Sequence, residues 1–474
     1  MEAQALILAA GAGTRMKSAK PKVAHEILGV PLVRWVVDAA RAAGIHDVVA
    51  VLGHGADQVR PLVEGDVRIV MQERQLGTGD AVNAAREAFS EDGRVRGGSL
   101  VVLSGDCPLI KPETIRALIA RREETGAAVV VLTMDMPDPT GYGRIVRAAG
   151  SDDVMRIVEQ KDCTPDQAAI TECNSGFYCF DAPMLFDALE QVGDDNAQGE
   201  YYLTDVLEIC RDAGRAVIAL PADDASEALG VNSRVQLAQA TAAMRERINA
   251  RHMAAGVTMW DPASTFVGPD VTIAADVELL PSVMLLGSTS IGSGSVIGPH
   301  TRLTDTVVGE GCTVDETVAV SAVVDDGASC GPRAYLRPEA HVCEGAKVGT
   351  HVEIKKSTIG AGSKVPHLSY IGDTTMGEGV NIGAGTITCN YDGVHKHRTV
   401  IGDGVFIGSD TMLVAPVTIG DGAVIGASSC ITRDVAPDAL ALERAEQRQI
   451  EGWASRHMEK LKSRAKPHGT PASR

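Results

Sequence analysis

Gly11, Gly13, Arg15 and Lys22 stand together in the stretch Leu6-Ile7-Leu8-Ala9-Ala10-Gly11-Ala12-Gly13-Thr14-Arg15-Met16, completed by Lys20-Pro21-Lys22. Two residues without Cβ atoms let the backbone turn sharply and bring its N–H groups close to a bulky anion. An arginine grips two anion oxygens and a lysine acts as a point charge, so the chemistry indicated is phosphate binding. Two commoner phosphate loops do not fit. The dinucleotide pattern wants a third small residue where Met16 stands, and an acidic residue after the next strand, which ends here in Gly53-His54-Gly55. The Gly-Lys-Ser/Thr of a P-loop is absent.

Three further groups in the first half carry the right chemistry for such a ligand. Gln72 and Gln75-Leu76-Gly77-Thr78-Gly79 lead into a helical stretch. There, backbone N–H groups face an anion and the Gln72 amide could read a base edge; the bland alternative is an N-capped helix. Asp106, in Leu103-Ser104-Gly105-Asp106-Cys107-Pro108, ends a buried strand. That position suits Mg²⁺, which takes one or two carboxylates plus phosphate oxygens, or else a cap for the helix after Pro112. Gly141-Tyr142-Gly143-Arg144, Glu159 and Glu172-Cys173-Asn174-Ser175-Gly176 put carboxylates and amides near glycine turns, as recognition of a hydroxyl-rich sugar requires. Asn232 offers a second metal oxygen or a plain N-cap.

The elements that must position these residues differ sharply between the two halves. Residues 1–228 alternate apolar strands with helical stretches. Strands are expected at Ala5–Ala10, Val48–Leu52, Val67–Met71, Ser99–Leu103, Ala128–Met134, Gly176–Phe180 and Ala216–Leu220. Helices are expected at Pro31–Ala43, Thr78–Phe89 and Pro112–Glu124. The pattern predicts a Rossmann-like α/β domain with a mainly parallel sheet, its ligands beyond the carboxyl ends of the strands. Residues 229–255 predict a linking helix, from Ser233 to Ala255. From 256 to 437 an aliphatic residue recurs every sixth position, often with glycine after it, most clearly at Ile401-Gly402, Ile407-Gly408, Leu413, Ile419-Gly420, Ile425-Gly426 and Ile431. That is the hexapeptide repeat of a parallel β-helix. The register breaks between Ile382 and Ile401, predicting an ejected loop over Thr386–Arg398, and a second departure spans Arg333–Tyr370. Residues 438–474 predict a helix over Leu440–Leu461 and a disordered basic tail from Lys462.

The totals agree with this division. A chain of 474 residues exceeds one ordinary core. Its net charge of −18 argues against nucleic-acid or anionic-membrane partners. Ten single cysteines without a C-x-x-C pair, and no signal peptide, predict reduced thiols in a cytoplasmic protein. Aromatic residues at 3% beside 50 glycines fit a repeat of small and β-branched residues.

The strings LAAGAGTRM, QLGTG, DPTGYGRI, NAQGEYYLTD, GVNSR, EIKKS, HLSYIGD and NIGAGTITCNYDGVHKH follow one another in this order. Together they resemble the bacterial bifunctional UDP-N-acetylglucosamine pyrophosphorylase / glucosamine-1-phosphate N-acetyltransferase family over residues 3 to about 450. The resemblance implies a nucleotidyltransferase domain, and a β-helix that is left-handed and assembled as a homotrimer. It also implies two reactions: acetyl-CoA acetylates glucosamine-1-phosphate, and the product attacks UTP, giving UDP-N-acetylglucosamine and pyrophosphate. UDP-N-acetylglucosamine is a precursor of peptidoglycan and lipopolysaccharide. By motif match, Leu8, Ala9, Ala10, Gly11, Lys22, Gln72, Gly77 and Thr78 hold the nucleotide, and Arg15 and Lys22 neutralise the charge of transfer. Gly105, Gly143, Glu159, Asn174 and Asn232 hold the sugar, and Asp106 and Asn232 hold Mg²⁺. In the second half, His367 is the implied general base, since an imidazole with an ordinary pKa of about 6.5 suits taking a proton from an attacking amine. Glu353 is expected to orient it. Arg337, Lys355, Tyr370, Asn381 and Lys396 match the sugar-phosphate site; Ala384, Asn390, Tyr391, Ser409, Ala427 and Arg444 match acetyl-CoA. Ser104 stands where the family often has tyrosine, and Pro366 where it has a small residue, usually glycine.

Two rival readings stand beside this one. The chain could be a single-activity sugar-1-phosphate nucleotidyltransferase whose β-helix serves only assembly. It could also be a zinc-bearing trimer like the γ-class carbonic anhydrases, with ligands among His341, His351, His395 and His397, although no spacing guarantees three that converge.

Overall fold

The computed structural model of the chain describes residues 2–11, 13–148 and 153–464, which fall into two compact units, Met1–Thr306 and Val307–Arg474. The first unit is built on a nine-stranded sheet. At its centre Gln4–Ala9 runs parallel to Asp47–Leu52 on one side and Ser99–Ser104 on the other. This run has no polar alternation because both its faces are covered. Ala5, Ile7 and Ala9 join a core with helices Leu32–Ala42 and Pro112–Thr125. Leu6 and Ala10 face the opposite core, with Thr78–Ala84, Ala182–Leu189 and Asp205–Asp212.

The seven expected strands all form, with ends shifted by a few residues at most. Two strands run against the rest. Glu172–Asp181 is antiparallel to both Ser99–Ser104 and Val129–Asp135, and Val154–Val158 is antiparallel to Arg144–Arg147. The last pair is short and interrupted by arginines, so the pattern of its residues did not announce strands. The helix expected over Thr78–Phe89 ends at Ala84 and continues only as a 3-10 turn, Arg86–Phe89.

The linking helix is Arg234–Ala254, capped by the Ser233 hydroxyl accepting from the Gln236 N–H at 3.2 Å. The first β-helix coils follow within the same unit, for example Thr258–Met259 beside Glu278–Leu279, and Phe266–Val267 beside Met284–Leu286.

In the second unit every coil contributes one short strand to each of three parallel sheets. Ile401 pairs with Ile419, Ile407 with Ile425 and Leu413 with Ile431, so each aliphatic side chain rests on the one three repeats later. All six are buried. The Arg333–Tyr370 departure is no ejected loop. Lys347 pairs with Lys364 and Glu353 with Tyr370, one residue closer in sequence than Ile401 and Ile419, so the break in spacing is a shortened turn. The real excursion is also narrower than expected. Ile387–Cys389 stays in the coil against Met412–Val414, and only 390–398 leaves it.

The expected C-terminal helix is corrected too. Leu440–Ala441 is a last strand against Val424–Ile425, and helix forms only over Trp453–Arg464, with no buried residue. Lys462–Arg464 end that helix; the remaining tail positions, 465–474, lie outside the described residues. All ten cysteines are free thiols. Among the described residues no helix is long and apolar enough to cross a membrane.

Candidate active sites

The glycine turn is shaped by what packs on it. Gly13 adopts a left-handed conformation (φ 60°), and a Cβ there would lie 2.6 Å from the Lys22 Cβ. Bare Cα hydrogens therefore let Pro21-Lys22 fold back over the turn. Met16 is buried and anchors the 3-10 turn Thr14–Met16, which leaves Arg15 exposed. Lys22 points the other way. Its Nζ lies 2.5 Å from Asp106 Oδ2 and 2.9 Å from Asn232 Oδ1.

Asp106 is held at the strand ends by two backbone bonds: the Gly105 N–H donates to the Leu8 carbonyl at 2.9 Å, and the Val231 N–H to the Asp106 carbonyl at 2.9 Å. Residues distant in the chain thus aim two side-chain oxygens at one positive charge. That donor set, a carboxylate and an amide oxygen beside an open cavity, fits a hard divalent cation.

A cavity of about 450 Å³ opens beside this cluster, lined by Leu8, Ala9, Ala10, Gly11, Lys22, Gln72, Gly77, Thr78 and Asp106. The Gln72 amide nitrogen donates to Asp80 Oδ2 at 2.7 Å and to the Gly77 carbonyl at 3.2 Å, so the side chain is held in a single pose at the cavity wall. Gly77 and Thr78 are zipped to a distant segment: the Gly79 N–H donates to the Tyr201 carbonyl and the Tyr201 N–H to that of Leu76, both at 2.8 Å. The Thr78 hydroxyl accepts from the Leu203 N–H at 3.1 Å. A Cβ on Gly77 (φ 120°) would meet the Tyr201 carbonyl oxygen at 2.5 Å. Gly77→Ala should therefore lower stability by about 1–3 kcal/mol through strain and overpacking, read as a lower urea midpoint; an unchanged midpoint would show the segment yields freely. Gln75, Ser104 and Glu200 also line the cavity. Sequence reasoning did not single out Glu200, whose only signal was its place in the NAQGEYYLTD string.

Three of the sugar candidates, Gly143, Glu159 and Asn174, come together nearby. The Asn174 N–H donates to the Gly143 carbonyl at 2.8 Å. A Cβ on Gly143 would lie 3.5 Å from both Glu159 Oε1 and the Asn174 Cβ. Burial foremost, then the Asp162 and Asp205 carboxylates, push the Glu159 carboxyl above its ordinary value. The Asn174 amide donates to the Tyr178 hydroxyl at 2.7 Å. Gly176 brings this group to the cavity edge, since its Cβ would lie 3.4 Å from Ser104 Oγ.

The second constellation lies on the β-helix of the second unit. Tyr335, Glu353 and Tyr370 stack as cross-strand neighbours in one sheet, with Arg337 and Lys355 just beyond. Arg337 Nη1 donates to Glu353 Oε1 at 2.8 Å, and Lys355 Nζ lies 3.4 Å from Asp373 Oδ2. The excursion brings Lys396 against Lys355. Their hydrogen bond comes first, then burial and the charges of Lys355 and Arg337, in holding the Lys396 amine below its ordinary value. Three cationic groups, Arg337, Lys355 and Lys396, face two carboxylates, Glu353 and Asp373, so the cluster is left with a net positive charge that suits an anion, and a phosphate beside Lys396 would favour its charged form. The excursion is pinned by Asp392, which accepts from the Val394 and His395 N–H groups at 2.8 and 2.7 Å and faces His397 Nε2 at 2.7 Å.

His367 ends strand Lys364–His367, exposed, with Thr350 beside it in register. The expected Glu353 partner is not there. Glu353 is spent on Arg337, because His367 lies on the neighbouring sheet. Pro366 leaves this strand paired with Lys347–Thr350. Asn381 continues the sheet of Lys364, and no hydrogen bond or ion pair joins it to the cationic cluster among the described residues. Asn390, matched to acetyl-CoA, instead donates to Asp373 Oδ2 at 2.5 Å and to the Tyr370 hydroxyl at 3.4 Å. Tyr391 is exposed on the excursion. The other acetyl-CoA positions form a column down one corner. The Asp410 N–H donates to the Ala384 carbonyl at 2.7 Å, the Ser428 N–H to that of Ser409 at 2.8 Å, and the Arg444 guanidinium to that of Ala427 at 3.1 Å.

The histidines of the zinc reading do not gather. His395 and His397 face Asp392, whereas His341 faces Asp325.

Comparison with known proteins agrees with both halves. Residues 5–150 match the MobA-like NTP transferase domain, and 398–433 the bacterial transferase hexapeptide (six repeats). The bifunctional protein GlmU of Streptomyces avermitilis is 50% identical, over 96% of this chain and 94% of its own length. The chain belongs to the bifunctional GlmU family. The GlmU of Syntrophomonas wolfei is 46% identical over 95% of this chain and 99% of its own, and that of Brevibacillus brevis 49% over 94% and 95%. Membership over the full length makes the coils a left-handed β-helix of hexapeptide repeats, and makes the chain a bifunctional acetyltransferase and uridylyltransferase acting on a nucleotide and acetyl-CoA. The single-activity reading gives way to it.

Proposed function

We propose that the two constellations divide the two reactions between them. Residues 1–228 carry uridylyl transfer, 229–255 link, and 256–437 carry acetyl transfer together with Arg444 beyond them; the helix Trp453–Arg464 follows. The observation that carries the first assignment is the convergence of Lys22 on Asp106 and Asn232 at the mouth of the cavity.

In acetyl transfer the substrate is glucosamine-1-phosphate, its phosphate held by Arg337, Lys355 and Lys396, with Tyr370 and Asn381 at the sugar. Its amine attacks the thioester of acetyl-CoA laid along Ala384, Ser409, Ala427 and Arg444, with Asn390 and Tyr391 at the excursion. His367 takes the amine proton as the bond forms, and the coenzyme leaves as its thiol.

In uridylyl transfer the backbone of Leu8–Gly11 with Gln72, Gly77 and Thr78 holds UTP. Gly105, Gly143, Glu159, Asn174 and Asn232 hold N-acetylglucosamine-1-phosphate, whose phosphate oxygen displaces pyrophosphate from the α-phosphorus. Arg15 and Lys22 stabilise the charge of transfer, so catalysis is positioning and electrostatics. Asp106 and Asn232 hold Mg²⁺, which neutralises phosphate charge when bound. The enzyme works in the cytoplasm as a homotrimer, a mass that sedimentation would read.

The deciding experiment uses two tubes. One holds glucosamine-1-phosphate and acetyl-CoA, read as free thiol; the other N-acetylglucosamine-1-phosphate, UTP and Mg²⁺, read as pyrophosphate. Signal in both is expected; pyrophosphate without thiol would refute the second assignment. Asp392→Ala, by releasing the excursion that carries Lys396, should raise the KM for glucosamine-1-phosphate about tenfold, equivalent to about 1.4 kcal/mol. An unchanged KM would mean that Lys396 needs no such support.

A further inference from the structure

Away from both constellations, three side chains of metal-ligating type converge on the second unit's β-helix. Asp325 follows strand Val323–Val324, and His341 opens the next strand of the same sheet, directly beside Val323. Cys343 stands two residues after His341, which in extended chain puts both side chains on one face. His341 Nε2 lies 2.7 Å from Asp325 Oδ2 and 3.9 Å from Cys343 Sγ, and one ligand atom from each of the three lies within 4.8 Å of the others.

These separations match a small tetrahedral ion. With metal–nitrogen near ~2.0 Å and metal–sulfur near ~2.3 Å, a tetrahedral angle sets nitrogen and sulfur ~3.5 Å apart. The histidine–cysteine distance needs to close by only a fraction of an ångström, and the histidine–aspartate pair to open by a similar amount. The His341 and Asp325 side chains are 42% and 39% exposed, so an ion from solvent can reach them. The Asp325 carboxylate brings a negative charge to the site, which favours a cation there. Thiolate and imidazole donors select zinc-class ions over Mg²⁺ or Ca²⁺.

We infer that Asp325, His341 and Cys343 form a site for one zinc-class divalent cation, with the fourth position open to water. Binding forms a metal–sulfur bond and releases the thiol proton to solvent. Because the ligands come from two successive coils, the ion ties them together. None of the three residues serves either reaction, so the site is a clasp on the scaffold, independent of catalysis.

The test uses the full chain, freed of metal with a chelator and titrated with Co²⁺. One equivalent per chain should bind, with a near-ultraviolet thiolate-to-cobalt charge-transfer band and intense visible d–d bands. Cys343→Ser should lose the charge-transfer band while keeping both transferase activities, which shows that it is folded. Cys430→Ser, removing an exposed thiol elsewhere, should keep the band. Zn²⁺ should then displace cobalt and raise the melting midpoint of the unaltered chain but not of Cys343→Ser. Absence of the band in the unaltered chain, its survival in Cys343→Ser, or its loss in Cys430→Ser would overturn the assignment.

Discussion

Asp106→Ala should cut uridylyl transfer by about a thousandfold, or about 4 kcal/mol of transition-state stabilisation, while acetyl transfer proceeds at its normal rate. The side chain has two tasks in the structure. It supplies one of the two oxygens that converge at the mouth of the cavity, and it balances the Lys22 ammonium 2.5 Å away. Its loss leaves Asn232 as the only side-chain oxygen on that lysine among the described residues. Asp106→Asn separates the two tasks, because the amide keeps an oxygen but not the charge. It should retain more activity than the alanine variant and need more Mg²⁺ for half-saturation. An alanine variant with full Mg²⁺-dependent activity would mean that the metal is held elsewhere, and parallel loss of both reactions would mean general unfolding.

His367→Ala should have the converse effect. A positioned general base contributes about 10²–10⁴-fold, so acetyl transfer should fall within that range while pyrophosphate release is unaffected. Its ring has no hydrogen-bond partner among the described residues, and its neighbour Leu368 turns the corner at φ 47°. Removing the imidazole therefore costs little stability, and lost activity reports on chemistry. The rate loss on acidification that a general base produces should vanish in the variant; persistence of that limb would assign the proton to another group. Glu353→Gln should leave the same limb in place, because Glu353 pairs with Arg337 and not with the imidazole; its effect should appear in the KM for glucosamine-1-phosphate.

Much of this was legible in the residues themselves, for local reasons. The run Leu6–Ala10 is apolar without alternation because it is covered on both faces, and that periodicity is a property of the string. The sixfold aliphatic spacing from Ile401 to Ile431 is one side of the coil, three of which make a turn, so the β-helix is written in the sequence itself. The phosphate turn was likewise local, with Gly13 and Lys22 close in sequence. Where the pattern was ambiguous the reading erred. The aliphatics after Leu440 suggested a helix, yet pairing with Val424–Ile425 made the first of them a strand; tertiary pairing overrode a local preference.

What the sequence by itself determined was the two architectures, the glycine turn with its two cations, and the family. Only the tertiary structure decided which side chains share a charge. Lys22, Asp106 and Asn232 are separated by most of a domain, and only the sheet order sets their atoms within hydrogen-bond reach. Likewise, only the stacking of coils gave Glu353 to Arg337 and Asp325 to His341, and only the excursion gave Lys396 to Lys355. Hydrogen bonds and ion pairs act over a few ångströms, and sequence separation does not encode distance on that scale; the register between strands does.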